Sequence, residues 1–322
     1  MNEGAFAMLD CLGFKGIWAR HPNFTPEDLN KKFSGIEKEL TEELTRYDKS
    51  AAETNIQTVF LSDTIVVSAT AKQVIDGDMP ADQRSEQKGW LLYLVALHCH
   101  ILIRKFASSD PVLTMRGYIT YGEHFVDRTF LVGPAVDETA ENYEKANGAF
   151  VWIAPQHRDS LSRYTRSLIE RFTAGLGGLA SECVVTQRVN HLGLWGAIPT
   201  RGGSNELSDI WQSLSSEQKS RNFSFVDSGY KRFYADDFFI DEYAMPLKGV
   251  GTLDCAVLAP FFSVNFYSVP RLTQKILNSF DIGSLSIDVL LKRQHTKALL
   301  DHAKARREAV VSELIAQLKA SG

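Results

Sequence analysis

The sequence predicts an α+β protein in which a largely antiparallel β-sheet is covered by helices. Short β-branched and apolar runs come in pairs joined by tight turns, and helical segments separate these pairs. Such alternation of hairpins and helices is typical of a sheet with helices packed on one face. A long amphipathic helix, predicted from Ile287 to Lys319, follows as the last element.

The elements of the first half follow from apolar spacing and turn residues. Ser34 and Glu37 form a capping-box sequence, so an amphipathic helix is predicted to start there. The apolar stretch from Trp90 to Ile103 predicts a buried helix that is too short to span a bilayer. In chain order we predict a strand at 5–12, a helix at 35–49, a hairpin of 56–61 with 64–69, a helix at 86–106, a hairpin of 112–121 with 128–132, a helix at 136–147 and a strand at 150–154.

The second half has weaker patterns. Residues 158–181 look helical, and residues 200–222 look loop-like around a short helix. Two late strands are predicted, at 243–248 and 253–259. We expect two units: residues 1–260, with a core at about 5–155, and a helical extension at 261–322.

Composition and charge favour a globular protein of a reducing compartment. Of the 322 residues, 44% are hydrophobic and 23% are charged, and the net charge of −4 gives no basis for a nucleic-acid partner. The cysteines lie far apart without the paired spacing of a zinc site or a disulfide framework. We therefore expect a cytoplasmic protein without a membrane span. The cysteines are Cys11, Cys99, Cys183 and Cys255.

Two of the apolar, strand-like runs each contain a single aspartate. Asp10 lies in the run 5–16, and Asp63 lies in the run 59–67. A strand interior disfavours aspartate, and a buried carboxylate needs a partner or a metal. If the runs pair as neighbours, the two carboxylates suit divalent cations and, through them, phosphates. Taken singly, Asp10 is equally consistent with an aspartate that caps a turn, and Asp63 is better explained as an ordinary turn residue, so the metal hypothesis depends on the pair.

Further polar residues interrupt apolar segments. Directly after Asp10, the turn Gly13-Phe14-Lys15-Gly16 is either a plain turn or a cradle of backbone amides for a triphosphate. Arg116 lies in an apolar strand, where it either pairs with a carboxylate or phosphate or marks a wet edge strand. His98 and His100 point in different directions on a helix, so we expect packing residues rather than metal ligands. Arg306 and Arg307 are expected on a solvated face.

Together these strings resemble the class III nucleotidyl cyclases. The string Phe6-Ala7-Met8-Leu9-Asp10-Cys11-Leu12-Gly13-Phe14 resembles their first metal-aspartate motif. Leu61-Ser62-Asp63-Thr64 resembles the second, with Ser62 where many members have glycine. The strings at 116–123 and 132–138 resemble the later strand and the glycine-led helix start. The amino-acid sequence of these strings is most similar to that of the bacterial pyrimidine cyclases of the Pycsar antiphage system, over about residues 5–155.

The resemblance implies a cyclase-like, ferredoxin-like fold and a set of site residues. Two ions, Mn²⁺ or Mg²⁺, would be held by Asp10, Asp63 and the backbone carbonyl of Cys11. The substrate phosphates would rest on the turn that contains Gly13, Phe14 and Lys15. The ribose 3′-hydroxyl would attack the α-phosphorus and release pyrophosphate. A homodimer of antiparallel subunits is implied, with the sites at the subunit interface.

The sequence departs from the family at the positions that select the base. Adenylate cyclases read adenine with a lysine and an aspartate, and those positions hold Val59 and Pro134 here. This favours a pyrimidine, with UTP first and CTP second, and hence a uridylate cyclase that makes cUMP for antiviral defence. The family's Asn–Arg pair is replaced by Asp137 and Glu141, so its transition-state role is assigned to Arg116.

Two alternatives remain open at this point. The missing Asn–Arg pair is consistent with a catalytically inactive, cyclase-like module that binds nucleotide for regulation. Another two-metal phosphotransferase, such as a dinucleotide cyclase, ranks last because the sequence has no Gly-Gly-Asp/Glu-Phe signature.

Overall fold

The structure, a computed structural model, describes residues 1–12, 14, 17–47, 54–72, 80–127, 130–175, 185–190, 192, 206–249, 251–260, 269–280 and 286–321. The strands are β1 (Asn2–Leu12), β2 (Thr54–Leu61), β3 (Thr64–Ala71), β4 (Thr114–Asp127), β5 (Phe130–Val132), β6 (Val151–Ile153), β7 (Phe239–Pro246) and β8 (Thr252–Leu258). The helices are α1 (Ile17–Arg20), α2 (Pro26–Tyr47), α3 (Ala81–Ser108), α4 (Pro134–Asn142), α5 (Arg158–Gly175), α6 (Glu206–Ser213), α7 (Ser216–Phe238), α8 (Val269–Asn278) and α9 (Ile287–Ser321).

The strands form one sheet in the order β2-β3-β1-β4-β6-β8-β7, with β5 paired to the end of β4. The pairing of β4 with β6 is parallel, and the other pairings of these strands are antiparallel. The predicted α+β class, with its largely antiparallel sheet and its long C-terminal helix, is therefore confirmed.

Alternation of side chains along β1 divides the core between two faces of the sheet. Leu9 and Cys11 are buried on the face that α2, α3 and α5 cover. Phe6 and Met8 are buried on the other face, against α4. Beside α4, the helices α6, α7 and α9 build a further core over β6 and β8. The expectation that helices cover only one face is wrong, because the β6–β8 half of the sheet buries both of its faces.

Helix α3 lies on the first face, against β1, β3 and β4. It has 28 residues and, by length and composition alone, is long and apolar enough to cross a membrane. The apolar stretch 90–103, which is too short by itself, is the middle part of this longer helix. However, 78% of its most apolar window is buried inside the protein, as in the core helix of a globular domain.

Two helices differ from the prediction because their caps lie elsewhere. Helix α2 begins at Pro26, where the Thr25 hydroxyl accepts the N–H of Asp28 and the Asp28 carboxylate accepts the N–H of Thr25. Ser34 therefore lies inside α2 and does not cap it. Helix α7 covers residues 216–222 of the segment predicted as loop, and it starts at a capping box of Ser215 with Gln218. Residues 216–222 carry no apolar side chain, so the apolar pattern does not reveal this start of the helix.

Arg307, His98 and His100 are among the charged or titratable residues that are buried in the described part of the chain. Arg307 is 1% exposed and its guanidinium lies 5.3 Å from the centre of the Phe233 ring, so the expectation of a solvated face is wrong for this residue. His98 and His100 are buried, as expected of packing residues. His98 shares a 2.8 Å hydrogen bond with the Thr58 hydroxyl, and His100 contacts the Phe238 carbonyl.

Gly117 allows β1 and β4 to approach closely. A Cβ atom at this position would lie 2.4 Å from the Met8 carbonyl oxygen and 2.5 Å from a Leu9 methyl group. Because a backbone oxygen cannot move aside, we expect Gly117→Ala to lower the free energy of unfolding by about 2 kcal/mol. The control is Gly35→Ala on α2, where a Cβ meets no described atom within 4 Å and alanine favours the helix. Equal urea midpoints for the two variants contradict this packing.

The buried histidines make stability depend on pH. Burial lowers the pKa of His98 to about 4 and that of His100 to about 3, whereas an unfolded histidine titrates near 6.5. Below pH 6.5 the unfolded chain binds protons that the folded chain does not, so the free energy of unfolding falls as pH falls. We expect each histidine to contribute about 1.4 kcal/mol per pH unit to this loss between pH 6 and 5. Urea denaturation at several pH values is expected to show that His98→Gln loses less free energy of unfolding between pH 6 and 5 than the unmodified protein. If the dependence of this free energy on pH is the same in both proteins, the assignment is contradicted.

Candidate functional site

The structure brings Asp10 and Asp63 together at one end of the sheet. Asp10 lies opposite Thr64 in the β1–β3 register, and Asp63 is the preceding residue, in the turn of the β2–β3 hairpin. The backbone N–H of Cys11 donates to the Asp63 carbonyl at 2.8 Å. Ser62, the other turn residue, has a φ of 61°, in the left-handed region that favours glycine.

Cys11 points away from the two carboxylates. Its side chain is 3% exposed on the α3 face, whereas Asp10 follows Met8 on the α4 face. Burial raises the pKa of the Cys11 thiol, and the charges of Asp10 and Asp63 add to the rise. The thiol is therefore not available as a ligand. The Cys11 carbonyl accepts the N–H of Phe14 at 3.3 Å and keeps a second lone pair.

The predicted phosphate turn is described only at Phe14. Gly13 and Lys15 lie outside the described residues. The Phe14 ring packs against the α3-side core and meets Trp18 edge-on, with 6.5 Å between ring centres. Its side chain therefore has a packing role in this structure.

Arg116 lies directly opposite Asp10 in the β1–β4 register. Its Nε and Nη2 atoms each lie 2.7 Å from Oδ2 of Asp10. The two side chains are only 7% and 14% exposed, and β4 is an inner strand. The alternative of a wet, edge-strand arginine is therefore wrong, and the carboxylate-paired alternative describes this residue.

The charge balance at Asp10 is set by burial and by its neighbours. Burial raises the pKa of Asp10 and outweighs the opposing effect of Arg116, while the negative charges of Asp63 and Glu144 raise it further. A carboxylate in this position gains from any additional cation.

Two residues that the sequence analysis did not select extend the site. Arg116 Nη1 donates a hydrogen bond of 3.3 Å to the backbone carbonyl of Glu144. The Glu144 carboxylate lies 3.5 Å from Arg116 Nη2. Lys248, in the turn after β7, donates to the same carboxylate at 2.8 Å. This hydrogen bond is the main reason that the pKa of Glu144 is lowered. In the sequence, Lys248 could be noticed only as a lysine in a glycine-containing turn between two strands. Solvated turns commonly have the same composition, so the sequence did not select it.

The positions that select the base in the resembled family carry no purine-reading group. Val59 pairs with Val66, which pairs with Met8, so Val59 faces the same side of the sheet as Asp10. Pro134 is the first residue of α4 and is exposed.

Helix α4 presents a carboxylate to the sheet instead of the Asn–Arg pair. Asp137 and Glu141 are exposed on α4. Glu138 faces inward and accepts hydrogen bonds of 2.7 to 2.8 Å from Tyr118, Thr120 and Gln156. Burial raises the pKa of Glu138, but these hydrogen bonds outweigh it and lower the pKa overall. With three donors, Glu138 is a satisfied structural acceptor.

The donor set fits a hard divalent cation, with part of the coordination left to other ligands. Asp10, Asp63 and the Cys11 carbonyl offer oxygen, which Mg²⁺ and Mn²⁺ prefer. Both contacts from Arg116 go to Oδ2 of Asp10, so this pair leaves Oδ1 unused. Within the described ranges no three His, Cys, Asp or Glu side chains come close enough to hold a metal by themselves. Substrate phosphates would complete such a shell.

Comparisons with known proteins give limited information. No protein-family model and no curated protein matches the chain. Two crystal structures are similar to it. One is the adenylyl cyclase CyaB from P. aeruginosa, with 12% sequence identity and a TM-score of 0.33 over 50% of this chain and 81% of that chain. The other is the guanylyl cyclase Cya2, with 13% identity and the same TM-score and coverage. A TM-score of 0.33 is too low to carry a conclusion about this chain.

We expect Arg116→Gln to remove the cation that faces Asp10. The buried carboxylate then lacks its partner, so the pKa of Asp10 rises and the free energy of unfolding at pH 7 falls by about 3 kcal/mol. The control is Arg221→Gln, which breaks an exposed pair with Glu217 and is expected to cost less than about 0.5 kcal/mol. Urea denaturation and a ¹³C carboxyl titration measure the two effects. If both variants match the unmodified protein, the pair does not stabilise the fold.

Proposed function

We propose that this protein is a nucleotidyl cyclase that converts a pyrimidine nucleoside triphosphate, UTP before CTP, into the 3′,5′-cyclic nucleotide and pyrophosphate. The observation that carries the proposal is the adjacency of Asp10 and Asp63 at one sheet end, with Arg116 against Asp10. Two carboxylates and a buried guanidinium suit the handling of a metal–triphosphate complex.

In the proposed reaction the ribose 3′-oxygen bonds to the α-phosphorus, the bond from this phosphorus to the bridging oxygen breaks, and the hydroxyl proton is lost to solvent. Asp10, Asp63 and the Cys11 carbonyl would hold two divalent ions. Mn²⁺ or Mg²⁺, when bound, lowers the pKa of the attacking hydroxyl and offsets charge on the leaving phosphates. Arg116 supplies a positive charge beside the reacting phosphate, and the turn at Gly13, Phe14 and Lys15 holds the remaining phosphates.

Preference for a pyrimidine is supported by the apolar surface beside the aspartates. Val59 and Leu61 of β2 face the same side as Asp10, and Leu61 is 38% exposed. Neither side chain can hydrogen-bond to a purine edge. The resemblance to the Pycsar cyclases adds the choice of UTP and a signalling role in antiphage defence.

Two features support a cytoplasmic homodimer, and the resemblance implies that its sites lie between the subunits. Phe125, Phe130 and Val132 on the β4–β5 hairpin are 46%, 58% and 42% exposed. They lie on neighbouring strands and form an apolar patch, which is more typical of an interaction surface than single exposed apolar residues are. The described cysteines, Cys11, Cys99 and Cys255, are free thiols, which suits a reducing compartment. In this proposal the cyclase domain is 1–260, and 261–322 is a helical extension.

A second candidate function is a catalytically inactive module that binds nucleotide. Arg116 is already paired with the Asp10 carboxylate, and α4 presents Asp137 and Glu141 to solvent in place of the family's Asn–Arg pair. This alternative requires that Asp10→Asn leaves the protein's effect in cells intact, whereas the enzyme requires that the effect is lost.

The decisive experiment incubates the protein with each of the four ribonucleoside triphosphates and Mn²⁺, and identifies products by mass spectrometry. We expect cUMP from UTP, and a loss of at least about 100-fold in Asp10→Asn and Asp63→Asn, because each removes a charge at the reacting phosphates. The control is Asp254→Asn, an exposed aspartate on β8.

The outcomes separate the parts of the proposal. If none of the triphosphates gives a cyclic nucleotide, the enzyme is ruled out and the binding module is favoured. If only ATP or GTP is converted, the cyclase stands and the pyrimidine preference is wrong.

A further inference from the structure

The C-terminal helix α9 is hydrogen-bonded to the segment that follows α4. His295 Nδ1 lies 2.8 Å from the Asn147 carbonyl, and the buried Thr296 hydroxyl accepts the N–H of Ala149 at 2.9 Å. These contacts hold α9 beside residues 145–149, directly after Glu144.

The turn after β7 holds the same segment from another direction. The N–H of Asn147 donates to the Pro246 carbonyl at 2.9 Å, and the N–H of Lys248 donates to the Lys145 carbonyl at 2.8 Å. The first turns of α9, the β7–β8 turn and residues 144–149 therefore meet beside Arg116.

Lys292 brings a third cation to the place where these segments meet. It lies one helical turn before Thr296, whose hydroxyl donates to the Lys292 carbonyl at 2.7 Å. Its side chain is half-buried, and burial together with the positive charges of Arg116 and Lys248 lowers its pKa, while Asp288 and Asp10 act in the opposite direction. Lys292 therefore lies on the same face of α9 as Thr296, the face that meets residues 145–149 beside Lys248.

The three cations differ in their partners. Arg116 is paired with Asp10 and Glu144, and Lys248 is paired with Glu144. In the part of the chain that the structure describes, no carboxylate oxygen lies within 4 Å of the Lys292 ammonium. A half-buried ammonium beside two other cations is unfavourable until an anion joins it. Because Glu144 is already shared by Arg116 and Lys248, the described residues leave a place beside Lys292 for a further anion.

We propose that Lys292 and Lys248 bind the polyphosphate of the nucleoside triphosphate, so that the C-terminal helix supplies part of the active site. The identity of the ligand rests on the proposed function, but its chemistry as a multiply charged phosphate rests on the cation cluster. Lysine suits this role because its ammonium is a compact point charge that meets phosphate oxygens without a fixed geometry.

Binding of inorganic tripolyphosphate, measured by calorimetry with EDTA present, tests the proposal without any turnover. We expect Lys292→Gln and Lys248→Gln each to raise the dissociation constant about tenfold, the usual effect of losing one charged hydrogen bond. Lys292→Arg keeps the charge and is expected to retain most of the affinity. Because Lys292→Gln removes a half-buried charge that no described carboxylate contacts within 4 Å, its melting temperature is expected to be equal or higher.

Two control variants separate this site from general attraction. Lys297→Gln changes a lysine on the same helix that pairs with Asp301. Lys231→Gln changes a lysine that lines the cavity of about 350 Å³ between α5 and α7, where other cations also gather. Neither is expected to alter tripolyphosphate binding. The proposal is overturned if the unmodified protein does not bind tripolyphosphate, if Lys292→Gln binds it equally well, or if Lys231→Gln alone abolishes binding.

The same variants separate this proposal from the proposed function. If tripolyphosphate binds through Lys292 while no nucleoside triphosphate is cyclised, the anion site stands and the cyclase fails. If a cyclic nucleotide forms and Lys292→Gln leaves KM unchanged, the cyclase stands and the role of Lys292 is wrong. If the cyclase proposal and the role of Lys292 are both correct, Lys292→Gln raises KM about tenfold and weakens tripolyphosphate binding by the same factor.

Discussion

The ion pair of Arg116 with Asp10 is the interaction on which the site and the centre of the sheet depend. Both groups lie among apolar neighbours on the α4 face, where an unpaired charge is costly. The pair therefore demands that β1 and β4 meet in one register. A slip of either strand by one residue would turn its charge toward the core beneath α3 and separate it from its partner. Gly117, next to Arg116, lets the two backbones come close enough for this contact.

Much of the sheet could be predicted because its signals are local. Alternating apolar residues and tight turns identify strands such as 64–71 without knowledge of their partners, and they also expose the two misplaced aspartates. The rest depends on tertiary contacts. The partner of Arg116 follows from a register, and the burial of Arg307 follows from the packing of α9 on α7. The joining of Lys248 to Glu144 connects parts of the chain that share no motif.

Asp10 has a structural role and a proposed catalytic role, and the two require different partners. As a structural group it neutralises a buried guanidinium, and as a proposed metal ligand it needs to face a second cation. The raised pKa that burial causes shows that Arg116 alone does not fully compensate this carboxylate. Sites of function commonly depart in this way from the arrangement that would be most stable. In the proposed reaction, the arriving phosphates give Arg116 an alternative partner.

The hydrogen bonds from α9 to residues 147 and 149 have a consequence for synthesis of the protein. Asp10 is synthesised well before His295 and Thr296, because they lie far apart along the chain. Domains fold progressively as they emerge, at about 5–20 residues per second. The walls of the candidate site are therefore complete only after α9 has been synthesised. A prematurely terminated chain that ends before α9 would lack this wall, so unfinished copies are kept from acquiring the complete site.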